Sequence, residues 1–212
     1  TGSVTIGGSV IQDNTLTASN TIADADGLGT ISYQWKAGGS NISGATASTL
    51  TLTEAQVGKA ITVTASYTDL HGTVEFVTSA ATETVANVND APTRVSGIAD
   101  RVAIENFAFS FIVRANVFVD VDVGDTLSYS AAKADDTVLP AWLSFNAGSR
   151  SFIGTPGTGD IGTIDIKVTA TDAGGLSATD TFALVVGDAS MGRTVDFLAY
   201  DWKAHTLLDG VS

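Results

Sequence analysis

Six aspartates stand at spacings that could bring carboxylates together twice. Asp24 and Asp26 in NTIADADGLGTISY (residues 20–33) match Asp120 and Asp122 in NVFVDVDVGDTLSY (116–129) without a gap, together with Asn20/Asn116, Thr30/Thr126, Ser32/Ser128 and Tyr33/Tyr129. A further aspartate closes an alternating apolar run in each half, Asp69 in TASYTDLHG and Asp172 in KVTATDAGG. Self-similarity of this kind marks repeated structural units. If the Asp-x-Asp loop and the later turn share one end of a module, three carboxylates converge there. Such groups repel by about 1 kcal/mol per pair at 4 Å in water, and by roughly 4 at an effective dielectric of 20. A cation between them is the economical answer. Ca²⁺ suits the donor set best, because it accepts several oxygen ligands, including carbonyls and Asn side chains, in loose geometry, whereas Mg²⁺ demands a stricter octahedron. Zinc would want His or Cys. For the second set the segment VNDAP supplies Asn89 and Asp90, so that the metal would tie two modules together. Against this stands the plain reading of Asp as a loop-capping residue that accepts backbone amides. Repetition, and the agreement of linker and both loops, favour calcium for the second set over the first.

The elements that must hold these residues are strands. Period-two alternation appears in ISYQWK, where Ile31, Tyr33 and Trp35 share a face, in STLTLT (48–53) and in AITVTASYT (60–68). EAQVGK (54–59) reads as one helical turn. The second half repeats the style in FAFSFIV (107–113), with Phe107, Phe109, Phe111 and Val113 expected to point inward, then in TIDIKVTAT (163–171) and DTFALVV (180–186). About seven short strands per module and a Trp on the third strand argue for an all-β protein, two tandem immunoglobulin-like sandwiches without the inter-sheet disulfide. Trp35 is then core. The junction falls at VANVNDAPT (85–93), where Pro92 lacks an amide donor.

Composition agrees. Of 23 acidic residues only Glu54, Glu75, Glu83 and Glu105 are glutamates, and the many threonines suit strands and polar turns rather than helices. A net charge of −13 with no basic cluster speaks against nucleic acid as a partner. The absence of Cys excludes disulfide and thiolate-zinc frameworks. No transmembrane segment is expected, since the most apolar stretch (107–121) is broken by Ser110, Arg114, Asn116 and Asp120. The chain opens within a strand-like pattern and stops mid-pattern, so it reads as a fragment of something longer.

The linker NVNDAP, the DVD loop and the TATD turn resemble the calcium-binding motifs of cadherin repeats. Residues 94–187, with FVDVDVGDTLSYSA, LPAWLSFNAGSRSFIGTP and GTIDIKVTATDAGGLSATDTFALVV, closely resemble dystroglycan-type cadherin-like domains of large bacterial surface and secreted proteins. Residues 1–88 are similar to a bacterial immunoglobulin-like repeat of the same kind of adhesin, including calcium-dependent RTX-type ones. The resemblance implies four parts: 1–88 and 94–187 as sandwiches, 89–93 as a calcium-binding linker, and 188–212 as a tail or the start of a further module. It implies calcium as the cofactor, a secreted or bacterial cell-surface location and a role in adhesion as a spacer. Asn89, Asp90, Asp120, Asp122 and Asp172 match the cadherin linker, Asp-x-Asp and turn ligands. Glu105 matches the first-strand Glu, which in cadherins serves the opposite end of its own domain, here facing the tail near Asp188. Asn87 stands where the pattern usually has Asp, and Ala91 follows Asp90 directly, which implies fewer metals. Polysaccharides or cell-surface glycans are the alternative partners, through a calcium-dependent carbohydrate-binding module.

Other signals carry little. GTGDIG (157–162) satisfies a dinucleotide-binding pattern but leads into a strand, so it lacks the helix N-terminus a pyrophosphate needs. His71 and His205 have no adjacent ligand set. No nucleophile elbow appears, and the chain is not expected to be an enzyme. Trp142 and Phe145 could form a sugar-stacking platform, but core packing is the expectation. The segment 190–212 is expected either to stay unpaired or to join an edge strand of another copy, giving self-association.

Overall fold

The structure, a computed structural model, describes residues 2–25, 27–189, 200–201 and 206–207. The chain divides into two compact units, Thr1–Asn89 and Asp90–Ser212. Apart from short 3₁₀ turns, every regular element among the described residues is a strand, and no helix is long and apolar enough to cross a membrane.

The first unit has strands β1 (Val4–Gly7), β2 (Thr15–Asn20), β3 (Ser32–Ala37), β4 (Ser40–Asn41), β5 (Thr49–Thr51), β6 (Ile61–Thr68) and β7 (Val74–Thr78). They form one layer in the order β1-β2-β5 and another in the order β4-β3-β6-β7. Alternation works as the sequence predicts: Ile61, Val63, Ala65 and Tyr67 of β6 all point inward, across from Leu16, Leu50 and Leu52 of the other layer. Trp35 is fully buried in that core, and its indole N–H is satisfied by the Ala47 carbonyl at 2.9 Å. Glu54–Gln56 is the expected helical turn, closed by the Gln56 side chain accepting the Thr53 amide at 2.9 Å.

The second unit has β8 (Thr93–Arg94), β9 (Arg101–Ile104), β10 (Phe109–Ile112), β11 (Phe118–Val119), β12 (Ser128–Lys133), β13 (Leu143–Asn146), β14 (Ser151–Gly154), β15 (Gly162–Thr171) and β16 (Ser177–Gly187). One face is the order β12-β15-β16-β9; the other comprises β10-β14-β13 and the pair β11-β8. All pairings are antiparallel except β9 against β16, which runs parallel from Arg101↔Leu184 to Ile104↔Gly187. Phe118, Phe152, Ile166, Val168 and Leu184 form the centre of the core, with Trp142 and Phe145 packed against it rather than standing free as a platform.

The expected all-β class and Ig-like sandwich architecture are therefore what the chain adopts. One inward residue is corrected. Phe107 is 62% exposed, because Asn106 takes a left-handed conformation (φ 59°) and Phe107 donates its amide back to the Ile104 carbonyl. That turn delays the strand until Phe109, which does point inward. GTGDIG is a turn leading into β15, and His71 is exposed. Two short strands, β17 (Tyr200–Asp201) and β18 (Thr206–Leu207), pair antiparallel. The rest of 190–212, with His205 and the expectation of self-association, lies outside the described residues.

Candidate metal centre

In the second unit β11 stops after two residues, and the chain turns through DVDVGDT before β12 begins. Gly124 makes this turn possible, at φ +93°, a conformation that side chains with a Cβ avoid. The turn wraps carboxylates around itself. Asp120 Oδ1 accepts the Asp122 amide at 3.0 Å, and the Asp122 carbonyl accepts the Asp125 amide at 3.1 Å. Asp122, only 8% exposed, accepts the Asp90 amide on Oδ2 at 2.8 Å, which fastens the start of the unit to the loop. Asp120, Asp122 and Asp125 each offer a carboxylate oxygen within 4.8 Å of the other two. Asp120 Oδ2 is buried and has no hydrogen-bond partner. A buried carboxylate oxygen without a donor is costly, and three carboxylates at this separation repel. A hard cation with loose geometry relieves both, so the residues fit Ca²⁺.

Asp125 escaped the sequence reading. The repeat comparison hid it, since the matching position in the first unit is Gly29. Asp172 stands in the turn between β15 and β16, 5% exposed, with Oδ1 accepting the Leu176 amide at 2.8 Å, and it is not one of the three grouped carboxylates. Asn89 is exposed and closes the first unit.

Glu105 belongs to another end of the same unit. Its amide donates to the Gly187 carbonyl, and its Oε1 accepts the Ala189 amide at 3.1 Å. The whole of β15 separates these residues from the turn that carries Asp172. Glu105 is 6% exposed, and its Oε2 is a second buried oxygen without a partner.

The first unit treats its acids differently. Asp69 caps the turn between β6 and β7, with Oδ1 accepting the His71 amide at 2.9 Å and the Thr73 amide at 2.8 Å. Asp24 Oδ2 accepts the Tyr67 hydroxyl at 3.0 Å, and the same hydroxyl meets Glu75 Oε2 in a shorter bond. Hydrogen bonding to Glu75, then burial and the Asp24 contact, push the Tyr67 phenol well above its usual range. Neither Tyr67 nor Glu75 was singled out from the sequence. Asp26 lies outside the described residues, and among the described ones no three carboxylates of this unit form such a group.

Residues 91–187 match the model of the family described as "Putative Ig domain". This stretch is an Ig-like domain. Solved structures similar to the chain include the extracellular cadherin domains 1–5 of protocadherin gamma B2, at 17% identity over 89% of this chain and 40% of that one, with a TM-score of 0.49. Domains 1–4 of protocadherin gamma B7 align at 15% identity over 88% of this chain and 51% of theirs, TM-score 0.45. The fibronectin(III)-like modules of Clostridium thermocellum CbhA align at 16% identity over 90% and 97%, TM-score 0.33. The chain thus spans about half or less of the two protocadherin fragments. No curated protein matches it. The family match and the strand order, in which β9 and β16 close one layer in parallel, agree on an Ig-like domain.

Proposed function

We propose that the chain is a pair of calcium-binding spacer modules from a large secreted or surface-displayed adhesion protein of the bacterial kind, with binding rather than catalysis as its task. The observation that carries this reading is Asp120 Oδ2, buried without a donor among the grouped carboxylates of Asp122 and Asp125. Ca²⁺ held by these residues would neutralise the loop and fix its conformation. Asp90 is already tied to that loop through its amide, so ordering the loop also orders the residues entering the domain. Asn89, Asp90 and Asp172 remain candidate further ligands, and Glu105 a ligand of a separate site at the other end of the unit. Asp24, Asp26 and Asp69 form the weaker candidate set.

A calorimetric titration of the full chain with Ca²⁺ tests this, repeated for Asp120→Asn. Saturable binding, with a dissociation constant of about 0.1 to 1 mM as is common for extracellular modules, is expected and should be lost in the variant. Binding unchanged in Asp120→Asn would move the site elsewhere, and no binding at 10 mM would sink the proposal.

A further inference from the structure

In a chain of net charge −13, all four arginines of the described residues gather round one groove of the Ig-like domain. The groove, about 350 Å³, opens between β9 and β10, each an edge strand of its layer, where the two faces of the sandwich part. Arg101 and Arg114 line it. Arg94 is placed beside Gly97, where a Cβ would stand 3.3 Å from its Nη1, and Arg150 donates its Nε–H to the carbonyl of lining residue Val113 at 3.3 Å.

These arginines are held rather than loose. The Arg101 guanidinium lies 4.1 Å from the centroid of the Phe111 ring, and its Nη1 donates to the Asp100 carbonyl at 3.2 Å. Arg94 is ion-paired with Asp180 at 3.2 Å, and the same aspartate accepts the Ile98 amide at 2.5 Å, fixing the loop that forms one wall. Among the described residues no ion pair reaches Arg101, Arg114 or Arg150, the remaining bridge joining Lys167 to Asp136. The floor is apolar, with Ile98, Val113 and Val117 all buried. Ser96 and Asn116 lie among the lining residues with polar side chains.

We propose that this groove binds an acidic saccharide, a sugar ring bearing a carboxylate or a sulfate, independently of calcium. A guanidinium fork matches the planar carboxylate or the sulfate face in two hydrogen bonds. The apolar floor suits the C–H face of a ring, and the polar wall suits its hydroxyls. The volume is that of a small-molecule site rather than of a strip along a strand edge, which favours a sugar over an acidic peptide.

The test is amide chemical-shift titration of the ¹⁵N-labelled full chain in EDTA, so that its outcome is separate from that of the calcium titration. The probes are galacturonate oligomers and sulfated galactose oligomers, each beside its neutral counterpart, with inorganic sulfate and a polyglutamate peptide as competitors. Saturable shifts at Gly97, Ala99, Asn116 and Val117 with one of the acidic oligomers are expected. Affinity should fall roughly tenfold in Arg114→Gln and in Arg101→Gln and stay unchanged in Lys133→Gln, which removes the same charge elsewhere. Arg114 is exposed, so its variant keeps the test valid if Arg101→Gln fails to fold. No shift, equal binding of the neutral oligomers, or unchanged affinity in Arg114→Gln overturns the proposal. Equal binding of bare sulfate or polyglutamate would overturn the saccharide assignment.

Discussion

Asp69 and Asp172 occupy matching places in the two units, and each caps a hairpin in nearly the same way. The Asp69 amide donates to the Thr73 carbonyl at 2.9 Å and the Asp172 amide to the Leu176 carbonyl at 3.0 Å, while Gly72 and Gly175 donate back to the two aspartates. Two residues earlier the units part company. Tyr67 faces Glu75 across β6 and β7, whereas Ala170 faces Ala178 across β15 and β16. The tyrosine hydroxyl gives the Asp24 carboxylate a donor, whereas Asp120 Oδ2 in the second unit is buried without a hydrogen-bond partner. The difference teaches that a hydroxyl from a neighbouring strand reaches the Asp24 carboxylate, while the Asp120, Asp122 and Asp125 group keeps a buried oxygen without a donor.

The largest expected effect separates the units directly. Ca²⁺ at a hundredfold excess over its dissociation constant contributes about 2.7 kcal/mol, which should raise the melting temperature of the Ig-like domain by about 10 °C or more. The first unit, with the weaker candidate set, should respond less, as residue-resolved amide exchange with and without chelator would reveal. An equal rise in both would erase the comparison. Next, Asp69→Ala and Asp172→Ala, assayed in EDTA, should each cost about 2 kcal/mol through lost side-chain caps, since in both the Oδ1 accepts the amide four residues on. In calcium the penalty for Asp172→Ala should grow if that residue also holds metal, and this sharpens its assignment. Asp24→Asn should destabilise the first unit by about 1 kcal/mol by weakening the bond from Tyr67, whereas Asp120→Asn in EDTA should be neutral or stabilising by relieving charge. Denaturant melts of both variants decide this.

The smallest effect concerns pH. The folded state holds the Tyr67 phenol above its unfolded value, so its contribution is fully present below pH 10 and is lost as the pH rises through the folded value. Ultraviolet titration should find one tyrosine resisting ionisation at alkaline pH, and Tyr67→Phe should remove that signal. A Tyr67 that ionises in the usual range would break the contrast between the ends.

Much of this was legible in the sequence because strands announce themselves by period two. Alternation marks Trp35, β6 and β15, and the repeats mark the acidic loops. What stayed hidden depends on turns and register. Phe107 looked like part of a strand, since alternation cannot see the positive φ of Asn106 that delays it. The two internal matches also do not share one register: Tyr33 pairs with Ala65, two residues short of Tyr67, while Tyr129 pairs with Ala170. A gap-free alignment therefore implied an equivalence between the Asp-x-Asp loops that the sheets do not keep. The contact between Asp24 and Tyr67 spans 43 positions and leaves no local pattern, and the role of Asp125 was masked by a glycine in its counterpart.

The parallel pairing of β9 with β16 has a further consequence. Tension applied along the chain would enter the domain through the short β8, pass on to β9 and leave near β16, and β9 and β16 lie side by side over four residue pairs. Their hydrogen bonds lie across the direction of pull, so they would be loaded together and resist as a shear clamp instead of unzipping one after another. The first unit joins its corresponding segments through the single parallel bridge Ile11↔Ala86, and it should be the first of the two to yield under stretching.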